Sequence, residues 1–322
     1  MRRPVKIGTR ESQLAVWQAT HVQEILKENS IDSELIFIKS AGDINTKTPL
    51  YELGVQGIFT KALDAALLNN DIDMAVHSMK DVPTLPASGT TLAAVLKRAS
   101  YKDILVFKGD EKEIEEELNS TFSIDHSPLA THDSPFTIAT SSIRRKAQWL
   151  FRYPHHSIES LRGNVNTRLR KLDEHPWNGV IFAAAGLERI QLRPEKSIDL
   201  DWMLPAPAQG AITISCRESD DFILSACAKL NDEITAICTK IERDFLRTLL
   251  GGCSTPISAL AVLKEDKIIF RGNICSVDGR QKFETEKHAL LNEANDLGVM
   301  AANELLQNED AKKVIFEIRD GK

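Results

Sequence analysis

"PVKIGTRESQLAVWQATHVQEILKENSIDSELIFIKS", residues 4–40, reads as strand, helix, strand, and the rest of the chain is organised around that order. "PVKIGTR" is a short strand closing on a glycine turn. "SQLAVWQATHVQEILKEN" sets Leu14, Trp17, His21 and Ile25 near a helical period, with Ser12 at its start as a cap. "SELIFIKS" alternates as a strand does. "GIFTKALDAALLNNDID" then supplies a helix, and "MAVHSMKDVP" a strand running into a loop closed by Pro83. The pattern recurs from Asp103: "DILVFK", "EKEIEEELN", "PFTIATSSIRRKAQWLFRYP", "SIESLRGNVNTRLRKLDEH" and "GVIFAAAGLERI" form a second set of strands and helices. Such alternation predicts α/β architecture with two doubly wound units.

The last third reads differently. After "ESDD" a single helical stretch is expected to Leu250. "ALAVLKEDKIIFRGNICSVDGRQKFETEKHAL" predicts strands joined at Glu265-Asp266, with a turn at Asp278-Gly279. A helix from Asn292 to Leu306 and a strand-like "KKVIFEI" complete a small α+β unit with an antiparallel sheet.

At 322 residues the chain is long enough for two or three domains, and 42% hydrophobic with 27% charged residues is a globular composition. No apolar stretch reaches the roughly 18 residues of a membrane span. "MRRPVKIGTR" lacks an apolar signal-peptide core, so a cytoplasmic location and no membrane partner are expected. The cysteines (Cys216, Cys227, Cys238, Cys253, Cys275) are odd in number and lack CxxC or metal-ligand spacing, which argues against disulfides and predicts no metal site. The net charge of −6 argues against nucleic-acid binding. Yet between Arg144 and Arg193 ten basic residues face only four acids, the pattern of a receptor for a compact polyanion.

In open α/β sheets ligands gather beyond the carboxyl ends of strands, where helix N-termini begin. Four polar turns fall there: "GTRES" with Thr9, Arg10 and Ser12; "HSMKD" with Ser78, Lys80 and Asp81; "TSSIRR" with Thr140, Ser141, Ser142, Arg144 and Arg145; and "LRGNVNTR" with Arg162, Asn164, Thr167 and Arg168. Hydroxyls, amides and guanidinium forks suit carboxylates or phosphates. Each also has a bland reading, since a serine cap is usually only a cap. Asp81 is the odd group: it cannot hold an anion, so it either pairs with an arginine or meets a cationic centre. In "RTLLGGCSTPIS" the double glycine leaves Cys253 in a bare turn where a bulky group has room to approach, although a small buried hydrophobe would sit there too. Nucleotide loops, GxSxG and HExxH are absent from the sequence.

Taken together, "IGTRESQLAVWQA", "GIFTKALDAALL", "DMAVHSMKDVP", "ATSSIRRKAQ", "LRGNVNTRLRKL", "AAAGLERI", "LPAPAQGAI" and "ERDFLRTLLGGCSTPISALA" resemble the porphobilinogen deaminase (hydroxymethylbilane synthase) family, in the family's order. The resemblance implies a transferase that condenses porphobilinogen into a linear tetrapyrrole on a dipyrromethane cofactor, held by a thioether to Cys253. It implies Asp81 as the catalytic carboxylate. Arg10, Ser12, Arg144, Arg145, Arg162 and Arg168 take side-chain-binding positions, with Lys80 beside them. Thr140, Ser141 and Ser142 are donors, Arg189 is a further basic position, and Ser78 and Asn164 complete the set. It further implies a monomer of three domains: residues 1–100 with 200–220, the first α/β unit; 101–199, the second; and 221–322, the cofactor-bearing unit. The two α/β domains would resemble type II periplasmic binding proteins.

The chain departs from the family pattern at "SAGDINTKTPLYELGVQGIF", where Gln56 replaces a usual lysine, and at "KRASYKD", which replaces an acidic run. "STFSIDHSPLATHDSP" is expected to be an exposed surface loop. Two alternatives remain beside the resemblance: a two-lobed binding protein for a small polycarboxylate, and an RNA-binding protein using the arginine segment, which the net charge opposes.

Overall fold

The computed structural model describes residues 3–40, 60–120, 136–249 and 255–320. The opening stretch folds as β1 (Val5–Thr9), α1 (Gln13–Glu28) and β2 (Ser33–Phe37), with β1 and β2 parallel from Val5 beside Ser33 to Thr9 beside Phe37. Ser12 caps α1, its hydroxyl accepting from the Ala15 amide. The buried stripe of α1 is Ala19, Val22 and Leu26 rather than the expected Leu14, Trp17, His21 and Ile25. Leu14 and Trp17 belong to a second apolar face, turned toward the other lobe, and a helix apolar on two sides cannot be assigned one inner stripe from its period.

α2 (Lys61–Leu68), β3 (Met74–Ser78), a 3-10 turn (Met79–Asp81) and β4 (Thr90–Val95) follow. The chain then crosses into the second lobe: β5 (Asp103–Phe107), α3 (Glu111–Ser120), β6 (Thr137–Ala139), α4 (Ile143–Arg152) and β7 (Ser157–Glu159). α5 (Val165–Glu174), β8 (Gly179–Ala183), α6 (Ala184–Arg189) and β9 (Ser197–Asp199) complete it. A return segment leads back to β10 (Ile212–Arg217). The first sheet has the order β2-β1-β3-β10-β4 and the second β7-β6-β8-β5-β9. In each, three parallel strands meet one antiparallel strand that arrives from the other lobe. Apolar clusters cover both faces of both sheets, as a doubly wound fold requires.

The helical stretch expected to run unbroken to Leu250 is two helices, α7 (Asp221–Ala228) and α8 (Glu233–Thr248). The break has a cause: Asp232 caps α8 by accepting from Thr235, and Asn231 turns its amide oxygen to the Val95 amide. β11 (Ile257–Lys264), β12 (Lys267–Cys275) and β13 (Lys282–Leu290) form an antiparallel meander. A 3-10 segment (Leu291–Asp296), α9 (Leu297–Leu305) and α10 (Glu309–Asp320) follow. "KKVIFEI", read as a strand, lies inside α10. Asn308 caps that helix through the amides of Asp310 and Ala311, and Ala311, Val314 and Ile315 are buried at helical spacing. No helix among the described residues is long and apolar enough to cross a membrane.

Candidate active site between two lobes

The carboxyl ends of β1, β3 and β6 bring three of the four polar turns toward a common cleft, and the α5 turn adds the fourth. On the first lobe, β1 delivers Arg10 and β3 delivers His77 and Ser78. Gly8 pairs with Ala75, so Arg10 and His77, two residues on from each, share one face of the sheet. His77 is buried, and burial with the nearby Arg10 charge pushes its pKa down to about 4. Ser78 lies on the opposite face, its hydroxyl accepting from Gln18 Nε2 at 2.9 Å. The 3-10 turn then carries Lys80 and Asp81, closed by the Val82 amide on the Met79 carbonyl.

On the second lobe the hydroxyl turns are tightly held. Ser142 caps α4 through the Arg145 amide, and its own amide donates to Thr140 Oγ1. Ser141 donates to the Leu161 carbonyl at 2.6 Å and accepts from the Leu161 amide at 2.8 Å, which fastens the α4 turn to the α5 turn. Asn164, exposed, caps α5 by accepting from Thr167. For Ser12, Ser142 and Asn164 the side chain is therefore a cap.

The arginines divide into groups. Arg144 and Arg145, expected to face a ligand, turn inward onto Asp103. Arg144 Nη2 lies 2.7 Å from one carboxylate oxygen, and Arg145 Nη2 2.8 Å and Nε 3.1 Å from the other. Arg144 Nη1 also donates to the Leu204 carbonyl, and Arg145 Nη1 to that of Ile181. Burial would raise the Asp103 pKa, but the two guanidiniums outweigh it and hold it at about 2. Two arginines on one aspartate leave one net positive charge beneath the cleft. Gln209 extends this node, donating to Asp103 at 3.0 Å and accepting from Lys80 Nζ at 3.2 Å.

Lys80, Arg162 and Arg168 form the other group. Burial, then the Arg145 charge, pushes the Lys80 ammonium down to about 8, with Asp81 and Asp103 opposing. Burial, then Arg145 and Arg162, lowers Arg168 to about 10, with Asp81 again opposing. Asp81 thus acts on groups of both lobes. Among the described residues its half-buried carboxylate makes no hydrogen bond or ion pair. Arg189 takes another position: Nη2 donates to the Gly210 carbonyl at 2.7 Å and the guanidinium lies over Trp17, at the seam of the lobes.

Cys253 with its two glycines, residues 41–59 with Gln56, and the segment 121–135 lie outside the described residues. Reading the sequence did not single out Asp103 or Gln209. The available signal for Asp103 was an acid opening the otherwise apolar strand "DILVF", since a buried carboxylate demands partners. Gln209 sits in the quoted "LPAPAQGAI", but nothing in that stretch marks its role.

Comparison with known families gives a match over most of the chain. Residues 5–225 match "Porphobilinogen deaminase, dipyromethane cofactor binding domain", and residues 236–307 match "Porphobilinogen deaminase, C-terminal domain". A porphobilinogen deaminase of Syntrophotalea carbinolica is 38% identical over 306 residues, covering 94% of this chain and 92% of that one. A probable porphobilinogen deaminase of Methanocaldococcus jannaschii is 41% identical over 265 residues, covering 81% and 84%. Among solved structures, the VFT2 domain of Bordetella pertussis BvgS (double mutant) is 14% identical with a TM-score of 0.40, covering 70% of this chain and 85% of that one.

Proposed function

The chain belongs to the porphobilinogen deaminase family, and we propose that it works through the cationic cleft above with Asp81 as its catalytic group. It is a transferase of tetrapyrrole biosynthesis: four porphobilinogen molecules are joined head to tail with loss of ammonia, and the linear tetrapyrrole hydroxymethylbilane is released by hydrolysis. The binding-protein alternative is not favoured. We place the enzyme in the cytoplasm, acting as a monomer on a small molecule without nucleic-acid or membrane partners. The division into 1–100 with 200–220, 101–199 and 221–322 puts the cleft between the first two domains.

The observation that carries the reading is the Asp81 carboxylate, without a partner among the described residues yet set among Lys80, Arg168 and the Arg145 node. Each pyrrole of substrate, product or cofactor bears an acetate and a propionate, so a cluster of cations suits all three. Arg10, Lys80, Arg162 and Arg168 would hold these carboxylates, with the net charge of Arg144, Arg145 and Asp103 behind them. Porphobilinogen loses ammonia from its aminomethyl arm as its own pyrrole nitrogen pushes electrons outward, so positive charge gathers near that nitrogen. Asp81 beside the ring N–H stabilises this charge as it forms and can accept the proton. The donor set also fits dipyrromethane, which when bound supplies the pyrrole α-carbon that starts the chain. Cys253 would hold it by a thioether, since a thiolate is the side chain able to trap a carbon electrophile.

The test is intact mass together with turnover. The purified protein should carry excess mass equal to two porphobilinogen units less two ammonias, absent from Cys253→Ser. Asp81→Asn should retain the adduct and lose turnover. An unmodified wild-type mass after incubation with substrate removes Cys253 from this role, and full turnover by Asp81→Asn removes Asp81.

A further inference from the structure

Helix α8 carries three adjacent buried charged side chains, Glu242, Arg243 and Asp244, of which the first two leave it for different parts of the molecule. Glu242 accepts from Arg98 Nη1 at 2.5 Å and Nη2 at 3.1 Å, from the Ala208 amide at 2.6 Å and from the Ala261 amide at 2.8 Å. It therefore ties both crossing segments and β11 to the helix. Arg243 reaches the turn after β3. Its Nη1 donates to the Val82 carbonyl at 2.8 Å and to that of Met79 at 3.4 Å, and its Nη2 to the Pro83 carbonyl at 2.6 Å. These carbonyls bracket Asp81 along the chain. The side chain of Met79 packs in the same direction, with Val95, Ala208 and Ala211, and with Ala236 of α8 beside them.

We propose that Arg243 is a positioning residue for the reaction: it grips the backbone that bears Asp81. Sitting on α8, it ties the turn that bears Asp81 to the frame of that helix. The proposal rests on the role given to Asp81 above. A guanidinium suits the task. The Met79 carbonyl already closes the 3-10 turn, whereas those of Val82 and Pro83 lie past its end, and a planar fork reaches such diverging acceptors at once, which a lysine ammonium does not. The frame is stiff because α8 cannot slide. Phe245 is fully buried on Phe270, Gly272 gives its ring room, and a Cβ at Gly298 would collide with the Ile241 carbonyl, so α9 lies directly on α8. A misplacement of about 1 Å at a reacting group costs on the order of a hundredfold in rate.

The experiment compares Arg243→Gln, Arg243→Lys, Asp81→Asn and the double variant Asp81→Asn/Arg243→Gln in the full chain carrying its cofactor, reading kcat, KM, intact mass and Tm. Arg243→Gln should lower kcat by about 10- to 100-fold while KM stays within about twofold and the holoprotein mass is retained. The double variant should be no slower than Asp81→Asn alone, and Arg243→Lys should stay impaired. Unchanged kcat in Arg243→Gln, with Asp81→Asn inactive, overturns the proposal and leaves the Asp81 reading intact. Effects that multiply in the double variant, or a loss that follows missing cofactor mass, also overturn it. Should Arg243→Gln fail to fold, Arg243→Lys decides: impaired kcat at normal KM supports the grip, and wild-type kcat overturns it. Full activity of Asp81→Asn brings down both readings together.

Discussion

In the second lobe Asp103 meets Arg144 and Arg145 with all three side chains buried; in the first, Asp73 meets Arg217 and an Arg3 whose side chain is 62% exposed. Each sets one aspartate between two guanidiniums, although Arg217 is shared with Asp220, at 2.7 Å against 3.4 Å to Asp73. Asp103 is clasped from both sides at the start of an interior strand, beneath the cleft, and Gln209 links it to Lys80. Asp73 precedes β3 at the opposite end of the strand from Asp81 and steadies the N-terminal segment through Arg3 and the Lys6 amide. Solvent reaches the Arg3 side of one node and neither side of the other, so related chemistry is structural support under the site in one lobe and a peripheral clasp in the other.

Substitutions can break that contrast. Asp103→Asn leaves two buried guanidiniums without their charge partner and should cost about 3–5 kcal/mol of stability, read as a large fall in Tm. A mild effect would mean that the node relaxes into solvent. Next comes acid sensitivity, to which each lobe contributes one histidine. His77 and His156 are held near 4 in the fold, burial being the first cause, against an ordinary value of 6.5. Between those values the unfolded chain binds more protons, so stability falls as pH drops from about 6.5 toward 4. At pH 5 each should account for on the order of 2 kcal/mol, and His156→Gln should remove only the second lobe's share from a pH–Tm series.

Smaller effects sharpen the contrast. Burial and the Arg145 charge push the Lys80 ammonium down to about 8, so its hold on substrate carboxylates should fade above that pH, and KM should rise by roughly tenfold at high pH. Lys80→Arg should flatten the profile; a flat wild-type profile would take Lys80 out of substrate binding. Asp73→Asn should cost only about 1 kcal/mol by denaturant titration, with kcat unchanged. A cost equal to that of Asp103→Asn would erase the difference between the lobes.

Strand and helix positions in both lobes were legible because period and turn chemistry agree there, as "PVKIGTR" and "TSSIRR" show. "KKVIFEI" misled because a short apolar run fits either period; its helix shows only when the count begins at Ala311. The cationic cluster was visible as composition, but not the direction of each arginine. Nothing in "SIRRKA" shows that Arg144 and Arg145 turn toward Asp103, because their partner is more than forty residues earlier in the chain. Arg243 sits in a quoted motif, yet its acceptors are backbone carbonyls, which carry no sequence signal.

The interleaved strands bear on how the protein is made. β10 lies between β3 and β4, yet more than a hundred residues separate it from β4 along the chain. At about 5–20 residues per second of synthesis, the first lobe waits on the order of ten seconds for its interior strand. Through that interval β3 and β4 leave the ribosome with open, apolar edges, so chaperone occupancy should concentrate on nascent chains that end between Val95 and Ile212.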